Sequence, residues 1–496
     1  MRDLTRRELL QGVAASPLLA SATSSKAASS MSQVPIVVRI PEIVRAFDSS
    51  GQPISLERSG DVWAGSQFSA SLIAKRESLS VVCSGLGVAR VQLRWKGGLP
   101  AGSRLLGDHW ERSYADLEWR GDCPNRPMPW YFLAFDGKRT HGYGVKTGAG
   151  SFCFWMSDAE GISLWLDIRS GGVPVELGDR QLRAAEIVEI HGREEESPFD
   201  VGRAFCKRMC VAPRLPGQPV YGTNDWNYAY GKNSAELIFS VAQDISDLSP
   251  SGGNRPFSVI DEGWAMGPYE DRFGYGPWIG NPKFGDMNKV ADRLNEMGVR
   301  PGIWFRPLTP LPEFPDSWKL ARDRTYLDPT IPEVKEHVNR EVAKLAGWGY
   351  QLIKHDFTTW DIFGKWGFQM GPDPTKDGWA FHDKSKTNAE IVSDLYQEIR
   401  EAAGDTYLIG CNTFGHLAAG THEIQRIGDD TSGITWNRNR RMGVNTLAFR
   451  AIQHKSFFDA DPDIVSATSA IPWELTEQWL RLAAQSGASL FVAVQP

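Results

Sequence analysis

The chain has 496 residues, more than one hydrophobic core holds, so two or three domains are expected. Its net charge of −6 gives no cationic footprint for nucleic acid, and no stretch reaches the roughly 18 apolar residues that span a bilayer. Tryptophan is unusually frequent at 19 residues, and an indole's broad apolar face with one donor suits a sugar ring as well as it suits a core.

In chain order, Thr5-Arg6-Arg7-Glu8-Leu9-Leu10 resembles a twin-arginine export motif. An apolar stretch from Leu9 to Ala22 and a small-residue region from Ser21 to Ser30 follow it. Residues 1–31 are therefore expected to be an export signal, removed from a periplasmic or extracellular mature chain of net charge −8. The alternative is a short amphipathic helix. No cysteine lies near the cleavage region, so no lipid anchor is expected there. The six cysteines (Cys83, Cys123, Cys153, Cys206, Cys210 and Cys411) show no disulfide framework. Cys206 and Cys210, at helical spacing, read as buried small apolar residues rather than a metal pair.

Residues 32–198 read as β. Val91, Leu93 and Trp95 alternate with polar partners, as do Ile162, Leu164, Leu166 and Ile168. Asp136-Gly137, between Trp130–Phe135 and Tyr143–Val145, is a hairpin turn signal. Many short strands without a long helical pattern predict an N-terminal β-sandwich. Residues 199–210 read as a helix, and the stretch Pro213 to Pro219 as a boundary, so 199–219 is expected to link two domains.

From residue 220 to 496 short apolar runs alternate with helical stripes. Strands are expected near Tyr221 and at Phe257–Ile260, Arg300–Phe305, Tyr350–Lys354, Tyr407–Gly410, Ile424–Ile427, Phe457-Phe458 and Ser489–Val494. Between them lie apolar stripes such as Met287, Val290, Ala291, Leu294 and Met297. Thr387 with Glu390 makes a capping box. Eight such units predict a (β/α)8 TIM barrel, and the whole chain reads as multidomain β plus α/β. An open doubly wound sheet lacks support, since no glycine-rich phosphate loop follows the first strand.

Barrel sites form at the C-terminal ends of the strands. The positions just past each apolar run are rich in carboxylates and aromatics: Asp225 and Trp226, then Asp261, Glu262 and Trp264, then Arg306, then Asp356 and Phe357. Cys411 and Asn412, then Arg426, Asp429 and Asp430, then Asp459, Asp461 and Asp463 complete the rim. Two facing carboxyl groups are required for glycosidic cleavage, one to attack or activate water and one to protonate the leaving oxygen. Lys354 shares parity with Asp356, and its charge would keep that carboxyl ionised. Trp264 and Trp304 fit core and pocket wall equally. The segment from Thr358 to Lys386, with Trp360, Trp366 and Trp379, reads as a loop shaping access or as a lid packed on the β region. The histidines show no paired ligand spacing, and Asp459, Asp461 and Asp463 lack a calcium loop's spacing, so neither metal nor cofactor is expected.

Several strand ends together resemble the melibiase-type α-galactosidases of glycoside hydrolase families 36 and 27. The segment Gly349 to Phe357 is similar to their Lys-x-Asp nucleophile strand, and Gly410-Cys411-Asn412 to their Gly-Cys strand end. Arg426-Ile427-Gly428-Asp429-Asp430-Thr431 resembles their Arg-Ile-Gly-Pro-Asp-Thr segment, and Ile260-Asp261-Glu262-Gly263-Trp264 their Asp-Asp-Gly-Trp segment. Asp459-Ala460-Asp461-Pro462-Asp463 resembles their Asn-Asp-Pro-Asp segment. The resemblance covers residues 220–496 and implies a retaining exo-α-glycosidase. It implies Asp356 as nucleophile and Asp430, rather than Asp429, as acid/base. Trp226, Asp261, Glu262, Trp304, Lys354, Cys411 and Arg426 would bind an oligosaccharide or glycoside. Two departures stand out. Glu262 replaces an aspartate, which moves a sugar-gripping carboxylate and opens the specificity to other sugars: an α-N-acetylgalactosaminide, an α-glucoside or a β-L-arabinopyranoside. The sequence also ends at Pro496, where the family usually continues with a C-terminal β domain. A non-catalytic sugar-binding relative is the other class of function. Oligomeric state does not follow from the sequence.

Overall fold

The computed structural model describes residues 37–267 and 276–495, so the segment read as an export signal lies outside the described residues. The described residues form one compact unit. Its first part holds antiparallel sheets of six and eight strands and a two-stranded one, Arg169–Ser170 with Val173–Pro174. In the six-stranded sheet Arg90–Lys96 pairs with Gly161–Asp167, setting Val91, Leu93 and Trp95 opposite Leu166, Leu164 and Ile162. All six of these side chains are buried, as the alternation predicts, and Gln92 and Ser163 on the other face are buried too. Trp155 of this sheet meets Phe132 and Tyr143 of the eight-stranded sheet at ring centroid distances of 5.8 and 6.4 Å. The Asp136-Gly137 signal closes a hairpin between Tyr131–Phe135 and Thr140–Val145. Asp136 Oδ1 accepts the backbone N–H groups of Lys138 and Arg139, and Gly137 supplies φ 98°.

The predicted linking helix spans Pro198–Met209, with Ser197 as its N-cap. It lies against the strand Thr140–Val145 so closely that a Cβ on Gly142 would stand 2.6 Å from the Phe205 ring, and one on Gly144 2.7 Å from the Met209 sulfur. Cys206 and Cys210 are buried there, and all six cysteines are unpaired.

Beyond it lies a nine-stranded sheet whose pairs are all parallel. From one end the order is Asp459–Asp461, Ile424–Arg426, Tyr407–Gly410, Leu352–His355, Arg300–Phe305, Phe257–Ile260, Tyr221–Asn224, Leu490–Val494 and Val465–Ala467. The two end strands are consecutive in the chain, separated by Pro462, Asp463 and Ile464. Both reach the last strand in sequence: Ser489 N donates to Ala460 O at 3.0 Å, and Val465 pairs with Val492. Amphipathic helices return the chain between strands. Pro332–Gly347, for example, buries Val334, Val338, Val342 and Leu345. The capping box forms as expected, Thr387 accepting from Glu390 N and Glu390 from Thr387 N, and opens the helix Asn388–Ala403.

One strand lies elsewhere than expected. Phe457-Phe458 belongs to a tight turn closed by Lys455 N to Phe458 O, and the sheet strand is Asp459–Asp461. Its buried acids are satisfied from outside the strand: Asp459 Oδ1 accepts from Ser489 N and Oγ, and Asp461 Oδ2 from Arg426 Nε. Asp459 and Asp461 are therefore within that strand rather than after it.

Candidate active site

The C-terminal ends of the parallel strands surround a cavity of about 390 Å³. Its lining includes Trp226, Asp261, Glu262, Trp304, Lys354, Asp356 and Asp430, seven of the nine residues selected from the sequence. Cys411 and Arg426 do not line it; both are buried beside it.

Asp356 stands one residue past Leu352–His355, its own N–H held by Phe305 O. Its Oδ1 accepts from Phe357 N (2.7 Å), Asn412 Nδ2 (2.5 Å) and Asn412 N (3.2 Å). Among the described residues its Oδ2 accepts from Trp304 Nε1 alone, at 3.0 Å. The next residue, Phe357, sits at φ 67°, ψ 0°, a left-handed conformation rare for a bulky side chain. That turn brings the Phe357 N–H back onto the carboxylate. Burial raises the Asp356 pKa, but the charges of Lys354 and Arg112 and the Trp304 donor outweigh it, and the carboxyl lies below its ordinary value.

Lys354 touches Asp261 rather than Asp356: Nζ lies 2.6 Å from Asp261 Oδ2. Burial would lower the Lys354 pKa, yet Asp261 prevails and raises it. Asp261 Oδ2 also accepts from Asn224 Nδ2, and its backbone N–H donates to Asp225 Oδ1 at 2.6 Å. Asp225 does not line the cavity, and burial with the neighbouring Asp261 charge pushes its pKa up to about 7. Trp226 begins a short helix, its N–H taken by Asn224 Oδ1, and is half-buried at the cavity wall. Trp304 is pocket wall, whereas Trp264 is core, its Nε1 donating to Trp304 O.

Asp430 follows the strand Ile424–Arg426, and its Oδ1 receives two guanidinium groups, Arg112 at 2.9 Å and Arg426 at 3.0 Å. Burial raises its pKa, but Arg112, Arg426, Lys354 and Arg438 together bring it far below the usual carboxylate range. Asp429 also reaches the cavity and is held by Arg112 (2.8 Å) and Arg438 (2.7 Å). Arg426 further engages Asp461 at 3.2 Å and Asp463 at 2.5 Å, so its donors are met by carboxylates. Cys411 Sγ lies 3.4 Å from Arg112 Nη1, and burial keeps its thiol well above the ordinary pKa. Arg306 points elsewhere, to Asp361 and Tyr326. Among the described residues no group of three or more His, Cys, Asp or Glu side chains is arranged to hold a metal.

Sequence reasoning missed Arg112, Tyr114, Phe368 and the use of Asn412. Arg112 and Tyr114 come from the β region: Ser113 N donates to Ile427 O, and Asp429 N to Ser113 O, which sets residues 111–114 alongside the loop that bears Asp430. Tyr114 donates to Glu111 and reaches Asn412 Oδ1 at 3.3 Å. Both readings of the segment Thr358 to Lys386 hold at once. Trp366 and Phe368 line the cavity, while Asp373 and Asp377 pair with Arg169 of the β region at 2.8 and 3.0 Å.

No protein-family model and no curated protein matches the chain. Solved structures do. TtGalA, an α-galactosidase from Thermus thermophilus in complex with stachyose, superposes with a TM-score of 0.60 at 18% identity, over 86% of this chain and 95% of that one. The GH36 α-galactosidase AgaA from Geobacillus stearothermophilus gives 0.57 at 13%, over 91% and 72%. A cycloalternan-degrading enzyme from Trueperella pyogenes, in complex with a covalent intermediate, gives 0.51 at 13%, over 87% and 62%. A β region followed by a parallel α/β sheet, in this order and over this length, is thus the fold of the GH36 α-galactosidases.

Proposed function

We propose that the protein is a retaining exo-α-glycosidase whose leading substrate is an α-galactoside. The single observation that carries this is Asp356, ionised at the end of the fourth parallel strand, sharing one cavity with a second carboxylate, Asp430. In this reading Asp356 Oδ2, which accepts one hydrogen bond against three on Oδ1, attacks the anomeric carbon. The glycosidic bond breaks with its electron pair on the leaving oxygen, which takes a proton from Asp430. Water then attacks the glycosyl-Asp356 ester, giving its proton to Asp430. Lys354 and Asp261, joined as a pair, offer a donor and acceptors to sugar hydroxyls, and Trp226 and Trp304 offer apolar walls. Arg426 orients Asp430 through its bond to Oδ1, and Cys411 packs behind the cavity against Arg112. Glu262 lies where hydroxyl recognition would be decided, and another sugar remains compatible with the same mechanism.

The same reading divides the chain into an export signal (1–31), a β-sandwich (32–198), a linking helix (199–219) and a (β/α)8 barrel (220–496) with a broken seventh strand. It places the mature protein outside the cytoplasm. The double arginine clamp on Asp430 favours a second reading, a protein that binds a sugar without cleaving it.

The test is release of the aryl group from a panel of aryl α- and β-glycosides, with Asp356→Ala beside the parent protein. Turnover of the α-galactoside that vanishes in the variant supports the proposal. Turnover of another glycoside alone keeps the mechanism and changes the sugar. Binding without turnover establishes the second reading.

A further inference from the structure

We propose that Arg112 is a positioning residue that withholds the proton from Asp430 while the cavity is empty, and yields that carboxyl when a sugar occupies the leaving-group side. The inference rests on the glycosidase reading. An acid that must protonate a leaving oxygen needs a proton before the bond breaks. In the empty site Asp430 Oδ1 accepts from both Arg112 and Arg426, an arrangement that stabilises the carboxylate.

The charges around Asp430 come from every element packed on it. Arg112 arrives from residues 111–114, and Arg426 and Asp429 belong to its own strand end and loop. Arg438 arrives from the following helix, its Nε on Asp430 O. Lys354 and Asp356 face it from the fourth strand, and Asp461 and Asp463 lie behind Arg426. Four cations thus oppose the acids. Arg426 is engaged by Asp461 and Asp463 and remains in place. Arg112 is the cation from outside the parallel sheet that lines the cavity.

The moving part is Asp430. Its side chain is 39% exposed, whereas that of Arg112 is 4% exposed. Arg112 keeps its other partners, Asp429, Tyr114 Oη and Cys411 Sγ, when Asp430 turns into the cavity. A hydroxyl oxygen of the leaving sugar then accepts the Arg112 Nη1 hydrogen that Asp430 gave up. In the empty site only water would take that hydrogen, and a guanidinium holds a carboxylate more strongly than it holds water, so the clamp stays closed. Once turned, Asp430 binds a proton from solvent and delivers it to the glycosidic oxygen. An aryl leaving group brings no hydroxyl for Arg112, but a good leaving oxygen departs without the proton.

The experiment compares pH profiles for raffinose as substrate, in which kcat/KM reports the empty site and kcat the filled one. In the parent protein the alkaline limb of kcat/KM is expected below that of kcat. In Arg112→Met the kcat/KM limb is expected to rise by about one pH unit or more toward the kcat limb. Arg112→Lys, which retains the charge, restores the lower limb. A limb in the same place in the parent and in Arg112→Met overturns the proposal. A second measurement needs no turnover: carboxyl carbon NMR of aspartate-labelled protein, with Asp430 assigned by Asp430→Asn. Asp430 is expected to titrate higher in Arg112→Met than in the parent, and higher in Asp356→Asn with raffinose bound than without it. Failure of either shift overturns the proposal even in an active enzyme. Both shifts in a protein that cleaves no glycoside leave Arg112 in control of Asp430 and refute the glycosidase reading alone.

Discussion

Asp225 offers a thermodynamic test that is independent of catalysis. Its carboxyl is 2% exposed, and its pKa is pushed from 3.8 to about 7 by burial first and by the Asp261 charge second. The N–H donors of Asp261 and Asn233, each at 2.6 Å, oppose this without cancelling it. The folded pKa lies above the unfolded one, so between pH 4 and 7 the folded chain holds a proton that the unfolded chain has lost. Stability therefore falls as pH rises through that window, and the loss is complete above the folded pKa. A shift of about three units at about 1.4 kcal/mol each gives a ceiling of about 4 kcal/mol. Lys354, paired with Asp261, keeps the true figure below that ceiling. Asp225→Asn removes the titration. It also sets an amide N–H₂ against the Asn233 donor, an offset of about 1–3 kcal/mol that does not vary with pH. Urea unfolding of both proteins from pH 4 to 8 should thus show the variant gaining on the parent by several kcal/mol across the range. Parallel stability curves would refute the assigned burial and charge environment of Asp225.

Trp304→Phe deletes the Nε1 donor on Asp356 Oδ2, a hydrogen bond to a charged group worth about 1.5–3 kcal/mol, or about one to two pKa units. The Asp356 pKa rises, so the acid limb of kcat/KM on an aryl glycoside should move to higher pH by that amount; an unmoved limb would show that Trp304 does not tune Asp356. Thr387→Ala opens the capping box and removes the bond from Thr387 Oγ1 to Gly150 O, and should cost about 1–2 kcal/mol in urea unfolding. A chain cut to residues 213–496 strips Arg450 of Asp108 and Glu111 O and leaves it Ile427 O. It also takes Phe152 from between Phe363 and Phe414. Such a chain should fail to unfold cooperatively, and a sharp transition would show the parallel sheet to be self-sufficient.

Legibility in the sequence depended on which forces act locally. Runs such as Phe257–Ile260 and Tyr407–Gly410 announce themselves because parallel strands are buried on both faces and read as apolar blocks. Strand ends converge at one side of a parallel sheet, so Trp226, Asp261, Asp356 and Asp430 could be gathered from position alone. The strand Asp459–Asp461 broke the rule because its buried positions are acids, made tolerable by Arg426 and Ser489 far away in the chain. Asn412 was visible beside Cys411, but which of the two meets Asp356 depends on the turn after the strand, and the amide does. Arg112 left no local mark. It sits outside any strand or helix, and its place is fixed by Ser113 bonding to Ile427 and Asp429, a pairing that no periodicity encodes. The parallel sheet thus supplies the carboxylates in a pattern that sequence reveals, whereas a cation clamped on Asp430 arrives from another part of the chain. A reading confined to residues 220–496 would place Asp430 at the cavity and still miss the guanidinium that holds its carboxylate.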